Sequence, residues 1–232
     1  MPAGSTSSPR KPMMPLFQLR LILLVALLSL VVVAAQLGIV SVAVNRLGLD
    51  ADSARWLLGL TLFGSLINLP VFSIPARHAP PRAMPRELLA VFGVPRFFRN
   101  RTTVAVNVGG CLTPVAFSLY LLRHGTLEPL AVILAVATVA MIAWRSSSVV
   151  PGVGIRMPVF VAPIAAALLA SALQFDQRAA LAYVAGTLGV LIGADLLRLR
   201  DVDALGARVA AIGGAGTFDG IFLTGIVAVL LT

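Results

Sequence analysis

Apolar residues run in long blocks along this chain instead of alternating with polar ones. Seven blocks read as helices that cross a bilayer: about 20–44, 54–74, 106–123, 127–144, 158–174, 179–198 and 209–231. A crossing takes about 20 apolar residues at the rise of an α-helix. The first block follows Arg10, Lys11 and Arg20, but it is about twice the length of a signal-peptide core and no small-x-small cleavage site follows it, so it reads as a retained helix. The pattern predicts an all-α polytopic membrane protein of about seven transmembrane helices, some of them broken at glycine or proline. Residues 1–15 form a disordered cytoplasmic tail, and 16–232 form a single transmembrane domain.

One connection is long. The connection at about 75–105 and the residues just after it read RHAPPRAMPRELLAVFGVPRFFRNRTTVAVNV, at 77–108, too rich in proline for one helix and too apolar for a free linker. Two readings stay open. ELLAVFGV and TTVAVNV pair as a small cytoplasmic β-hairpin, the favoured reading, or ELLAVFGV lies in the membrane interface as a short amphipathic helix.

Composition agrees with the blocks: 59% of the 232 residues are hydrophobic and 12% charged, and the mean hydropathy is +0.98. That is the balance of an integral membrane protein. The single cysteine, Cys111, excludes an internal disulfide and a multi-cysteine metal site. With His78 and His124 in or near loops, no metal and no cofactor is expected. The net charge of +9 comes from arginines scattered between the blocks without aromatic interleaving, which speaks against nucleic acid as a partner.

The arginines also set an orientation. With the N-terminus in the cytoplasm, the inside segments hold 14 of the 18 basic residues, and only Arg46, Arg55, Arg123 and Arg178 fall outside. The positive-inside rule therefore predicts a multi-pass protein of the cell membrane with its N-terminus inside and its C-terminus outside. The lipid bilayer is the expected partner.

Seven of the nine acids fall in loops and read as solvated charges. Asp195 in GVLIGADLL and Asp219 in GTFDGIF remain, both in the cytoplasmic half of a crossing. An intramembrane acid marks a functional site by default, because an unpartnered carboxylate is costly in hydrocarbon. Three helix-breaking stretches converge on the same side: NVGGCLTP at 107–114, PGVGIRMP at 151–158 and IGGAG at 212–216. Irregular backbone at membrane depth is tolerated where it lines a cavity or packs closely on a neighbour. The chemistry is thus assigned to Asp195 and Asp219. Substrate contacts are assigned to Asn107, Gly109, Gly110, Gly193, Gly214, Gly216, Thr217 and Gly220, with Thr217 capping the last helix.

Plainer readings stand beside these. Gly189 with Gly193, and Gly216 with Gly220, are GxxxG pairs that let membrane helices approach closely. At about 100° per residue, Gly186, Gly189 and Gly193 lie nearly opposite Asp195, which then points away from any helix those glycines dock on. Each acid also reads as a partner for Arg198 or Arg208, and Asn68 and Asn107 as interhelical hydrogen bonds.

The strings GTLGVLIGADLL, LGARVAAIGGAGTFDGIFLTGIVAVLL, AVNVGGCLTPVAFSLYLL and VPGVGI resemble an uncharacterised prokaryotic integral-membrane family, a domain of unknown function (1614), over roughly 55–232. The resemblance implies no activity. One acid on each of two consecutive late crossings is also similar, in position, to the presenilin and signal-peptide-peptidase group of intramembrane aspartyl proteases. That similarity implies a di-aspartyl hydrolase acting on a membrane-protein substrate. The group's motifs are not matched: Gly193-Ala194 precedes Asp195, Thr217-Phe218 precedes Asp219, and no Pro-Ala-Leu triplet occurs. A proton- or cation-coupled transporter that binds a small ion at Asp219, or a non-catalytic membrane scaffold, are the other readings. The sequence leaves the oligomeric state open.

Overall fold

The computed structural model describes residues 38, 42–43, 45–77, 100–151, 154–214 and 220–232. The chain divides into two units, Met1–Val40 and Ser41–Thr232. Gly38, the described residue of the first, is helical; the elements below belong to the second. Most of the first expected crossing, the segment ELLAVFGV, and residues 215–219 with Gly216, Thr217 and Asp219 lie outside the described residues.

In chain order the second unit runs α1 (Ala51–Gly64), β1 (Asn68–Pro75), β2 (Arg101–Asn107), a π turn (Val108–Leu112), α2 (Thr113–His124) and α3 (Pro129–Ser146). There follow β3 (Ser148–Val150), β4 (Gly154–Arg156), α4 (Val161–Leu173) and α5 (Arg178–Val190), which passes into a second π turn (Leu191–Leu196). A 3-10 stretch (Leu199–Leu205), β5 (Val209–Ile212) and α6 (Gly220–Leu230) complete it. The fold is mostly helical with two small sheets, which corrects the all-α expectation. Among the described residues two helices, Pro129–Ser146 and Phe175–Leu196, are long and apolar enough to cross a membrane; Val161–Leu173 and Ile221–Leu230 are apolar but shorter.

The block read as one crossing at 54–74 is split. Asp50 starts α1 by accepting the backbone N–H of Asp52 at 3.2 Å and of Ser53 at 3.3 Å, an N-cap. The helix stops at Gly64 because Pro70 and Pro75 follow, and a proline inside a helix lacks the donor and clashes with the preceding turn. Val71, Phe72 and Ile74 suit a strand. β1 pairs antiparallel with β2, from Asn68 opposite Asn107 to Pro75 opposite Arg101, with a bulge between Pro70 and Phe72. TTVAVNV is thus a strand, as expected, but NLPVFSIP is its antiparallel partner. β5 adds parallel to the other side of β2, from Thr103 opposite Val209 to Val106 opposite Ile212, so the sheet order is β1-β2-β5. β3 and β4 form a separate hairpin.

The helices pack around α5, whose Leu181, Ala182, Tyr183, Val184 and Ala185 are fully buried. Small residues make the contacts: Ala131, Ala135, Val139 and Ala143 on α3, and Ala162, Ala166 and Ala170 on α4. The large apolar residues of the same helices point outward, with Leu130 67%, Ile133 63% and Leu168 67% exposed. That reverses the arrangement of a water-soluble core and gives a continuous apolar exterior.

The ends of the bundle differ. At one end Arg46 Nη1 donates to the Leu230 carbonyl at 3.1 Å, and Gln174 Nε2 donates to the Thr126 carbonyl at 2.7 Å. At the other, Asn107 reaches Ser65, Arg198 reaches the last turn of α3, and Arg77 pairs with Asp203 at 2.7 Å. The six helices therefore run alternately between the two ends, and all five strands lie at the second. Arg77, Arg101, Arg145, Arg156, Arg198, Arg200 and Arg208 collect at the strand end, and Arg46, Arg55, Arg123 and Arg178 at the other. The charge asymmetry read along the chain is thus an asymmetry between the bundle's ends.

Candidate functional site

Asp195 sits in the π turn that ends α5. Its i→i+5 winding is fixed by the Leu197 N–H donating to the Ile192 carbonyl at 2.9 Å. Each residue of a π turn advances about 15–20° less than in an α-helix. Over the five steps from Val190 to Asp195 the lag is about 90°, so Asp195 moves from nearly opposite Gly186 to roughly a quarter-turn from it. The carboxylate, half-buried, lines a cleft of about 400 Å³ with Val190 of α5, with Leu223, Thr224 and Val227 of α6, and with Ile155, Arg156 and Met157 at β4.

The glycines account for the rest of that geometry. A Cβ on Gly186 would meet Thr224 and Ala228 of α6 at 3.3–3.5 Å. One on Gly189 would meet Val139 of α3 at 2.6 Å, and one on Gly193 would fall on the Ala140 carbonyl. The GxxxG pair Gly189/Gly193 therefore docks on α3, and Gly186 alone faces α6. Asp195 lies on the flank of α5 away from α3, where the cleft opens.

A second junction lies at the first π turn. Asn107, fully buried, ends β2 and caps the turn: its Oδ1 accepts from the Gly110 N–H at 2.7 Å, and its Nδ2 donates to the Ser65 carbonyl at 2.7 Å and to Asn68 Oδ1 at 3.0 Å. Asn68 and Asn107 are thus bonded to each other, across two strands instead of between helices. A Cβ on Gly109 would strike the Thr61 carbonyl and Ser65 nitrogen, and one on Gly110 the Gly213 carbonyl. Gly213 and Gly214 have φ of 83° and 81°, a left-handed backbone open to glycine. Asn107, Gly109, Gly110 and Gly214 thus come together where α1, the π turn and the end of β5 meet. They are not among the described residues lining the Asp195 cleft. Gly220 opens α6.

The arginines named as partners for the acids are placed as follows. Arg198 bonds Asp201 Oδ2 at 3.2 Å, the Trp144 and Ser147 carbonyls each at 2.8 Å, and Ser147 Oγ at 3.2 Å. It ties the end of α3 to the chain after α5. Arg208 precedes β5, and its Nε and Nη1 are buried without a hydrogen-bond partner among the described residues. Among the described residues no group of three or more His, Cys, Asp or Glu is placed to hold a metal ion.

Sequence reasoning did not single out Ile155, Arg156, Met157 or Thr224 for the cleft. PGVGIRMP carried a signal as a break between helices, and its turn into β4 brings Ile155 and Arg156 beside Asp195.

The geometry defines a mostly helical protein with membrane-length helices and an acid-bearing cleft at its strand-bearing, arginine-rich end. The chain belongs to the family described as "Protein of unknown function (DUF1614)", whose model matches residues 62–231. The match takes in every described element from the end of α1 onward, both π turns and the cleft included. No curated protein and no solved structure matches the chain.

Proposed function

We propose that the chain is a multi-pass protein of the cell membrane whose strand end faces the cytoplasm, and that Asp195 and Asp219 act there as a di-aspartyl hydrolase on a membrane-protein segment. The apolar exterior over small-residue contacts supports lipid as the surrounding solvent. The arginine-rich strand end supports the orientation, N-terminus inside and C-terminus outside. A cysteine placed at 174–177 in a Cys111-free background is then labelled from the outer side; labelling from the cytoplasm alone overturns the orientation.

The observation that carries the catalytic reading is the π turn that brings Asp195 into a cleft walled by α6. Leu223 and Val227 line that cleft at the four-residue spacing of one helix face. In the sequence Asp219 directly precedes Gly220, the first residue of α6. Two carboxylates sharing one proton divide the work: the ionised one takes a proton from water as it attacks the peptide carbonyl, and the protonated one delivers its proton to the amide nitrogen as the C–N bond breaks. β4, at the cleft wall, is a strand that an extended substrate segment can pair with.

The test is cleavage of helical membrane-protein substrates by protein reconstituted in vesicles, comparing Asp195→Asn, Asp219→Asn and the double variant. A dyad acts as one unit, so each single variant is as inactive as the double. Cleavage retained in Asp195→Asn and lost in Asp219→Asn removes the dyad and leaves Asp219 as a lone site, as a proton- or cation-coupled transporter requires. Absence of cleavage by the unsubstituted protein removes the hydrolase.

A further inference from the structure

Several arginines at the strand end are held by the fold. Arg77 pairs with Asp203 at 2.7 Å, Arg101 donates to the Ser73 carbonyl at 2.7 Å, and Arg198 is bonded to the last turn of α3. Arg156 is not held in this way. Its side chain is exposed, and among the described residues it makes no hydrogen bond and no ion pair. Among those residues it is also the one arginine that lines the Asp195 cleft. The two opposite charges share that cleft without pairing with each other.

The strand that carries Arg156 has room beside it. β4 pairs with β3, Ser148 opposite Arg156 and Val150 opposite Gly154, and its other edge meets no strand among the described residues. Ile155, Arg156 and Met157 form one wall of the cleft of about 400 Å³. A Cβ on Gly154 would meet nothing within 4 Å, so the strand is approached through open space. An unpaired strand edge offers backbone N–H and C=O groups to an extended chain. A lipid headgroup would use the cation alone, whereas an extended peptide uses both the cation and the edge. The peptide residue set opposite Arg156 has its Cβ about 4.5–5.5 Å from that of the arginine, a distance at which opposite charges stabilise the pair and like charges destabilise it.

We propose that Arg156 selects the substrate: the segment taken into the cleft carries an Asp or Glu on its cytoplasmic flank, set opposite Arg156 when that flank pairs with β4. The proposal rests on the hydrolytic reading of the Asp195 cleft and names its substrate class. Membrane segments commonly carry Lys or Arg on the cytoplasmic side. Arg156 repels such flanks, so selection works by repulsion as well as by attraction. It acts on binding and takes no part in the proton transfers.

The test is peptide binding to the full chain in phosphatidylcholine vesicles, in an Asp219→Asn background so that hydrolysis does not consume the peptides. Two fluorescent peptides share one apolar membrane-spanning segment and differ in the flank, acidic in one and basic in the other. The acidic peptide binds about fivefold more tightly. Arg156→Gln removes most of that difference, and Arg156→Glu reverses it. Arg156 is exposed, so both variants keep the parent's stability; if either does not fold, the two peptides on the protein with Arg156 intact still decide. Equal affinity for the peptides, a preference for the basic one, no binding of either, or a preference for the acidic one that survives in Arg156→Glu overturns the inference. Equal affinity together with phosphatidylglycerol binding that Arg156→Gln abolishes overturns it too and gives the arginine to a lipid headgroup. An Arg156-dependent preference without cleavage by the unsubstituted protein defeats the hydrolase alone, and cleavage of both peptides at equal affinity defeats this inference alone.

Discussion

Gly186 and Gly193 lie on one helix and offer a matched pair of substitutions. Alanine at either position gains about 0.5–1 kcal/mol from reduced backbone entropy in the unfolded chain. The neighbours differ. At Gly186 the new methyl meets Thr224 Cγ2 and the Thr224 carbonyl at 3.3 Å, tight contacts that α6 relieves by a few tenths of an ångström. Gly186→Ala is therefore expected within about 0.5 kcal/mol of the parent. At Gly193 the methyl lands on the Ala140 carbonyl oxygen and stands 2.9 Å from the Ala143 Cβ. A backbone carbonyl cannot rotate aside, so α3 and α5 must separate at an overpacking cost of about 1–3 kcal/mol. After the entropy gain, Gly193→Ala is destabilised by about 0–2.5 kcal/mol, about 1 kcal/mol at the middle of that range. SDS titration in mixed micelles, followed by circular dichroism, measures both. Equal midpoints for the two variants, or a more stable Gly193→Ala, would refute the docking of α5 on α3 through Gly193.

Other substitutions probe the two ends of the bundle. Arg198→Met keeps the apolar stem but removes the bonds to the Trp144 and Ser147 carbonyls; a loss of about 2–3 kcal/mol is expected, nearly all from those caps and little from the half-exposed Asp201 pair, and the same titration reads it. Asn107→Leu leaves the Ser65 carbonyl and Gly110 N–H buried without their partner, for a loss of about 2–4 kcal/mol, and a midpoint equal to the parent's would show that the cap contributes nothing. The carboxyl of Asp50 is held below its ordinary value of 3.8 by hydrogen bonds, first from the Ser53 side chain and then from the Ser53 backbone. Its contribution is fully present above pH 3.8 and is lost as pH falls through the lower folded value. Amide exchange at the start of α1 should therefore speed up in acid, beyond its intrinsic pH dependence, and not in Asp50→Asn.

The helices were legible where apolar blocks coincide with terminal signals. α2 carries Pro114 in its first turn and ends before Gly125, and α3 begins at Pro129; both start inside the blocks predicted for them and run one and two residues past their ends. Block hydropathy fails where an apolar strand and half a crossing carry the same sign. NLPVFSIP and VAAI were absorbed into the blocks 54–74 and 209–231, although Pro70 and Pro75 already argued against a helix. The parallel pairing of β2 with β5 joins residues about a hundred positions apart, and no local pattern reports it. The π turn at Leu191–Leu196 was equally silent. Constant α-helical phase placed Asp195 opposite the glycines, and the slower winding turns it toward the cleft. The glycines were legible as contact points, but their partners were not: Gly189 and Gly193 meet α3, the fourth crossing of the sequence reading, while Gly186 meets the last helix.

The central claim is that Asp195 and Asp219 work together in one cleft, and a proximity measurement tests it most directly. In a Cys111→Ala background, cysteines at positions 195 and 219 are treated in membranes with a thiol crosslinker spanning about 6 Å, the range over which one carboxylate's charge acts on another's ionisation. The account predicts efficient intramolecular crosslinking, with each single cysteine variant remaining uncrosslinked. A doubly substituted protein that both thiols label singly and that never closes the link would contradict it.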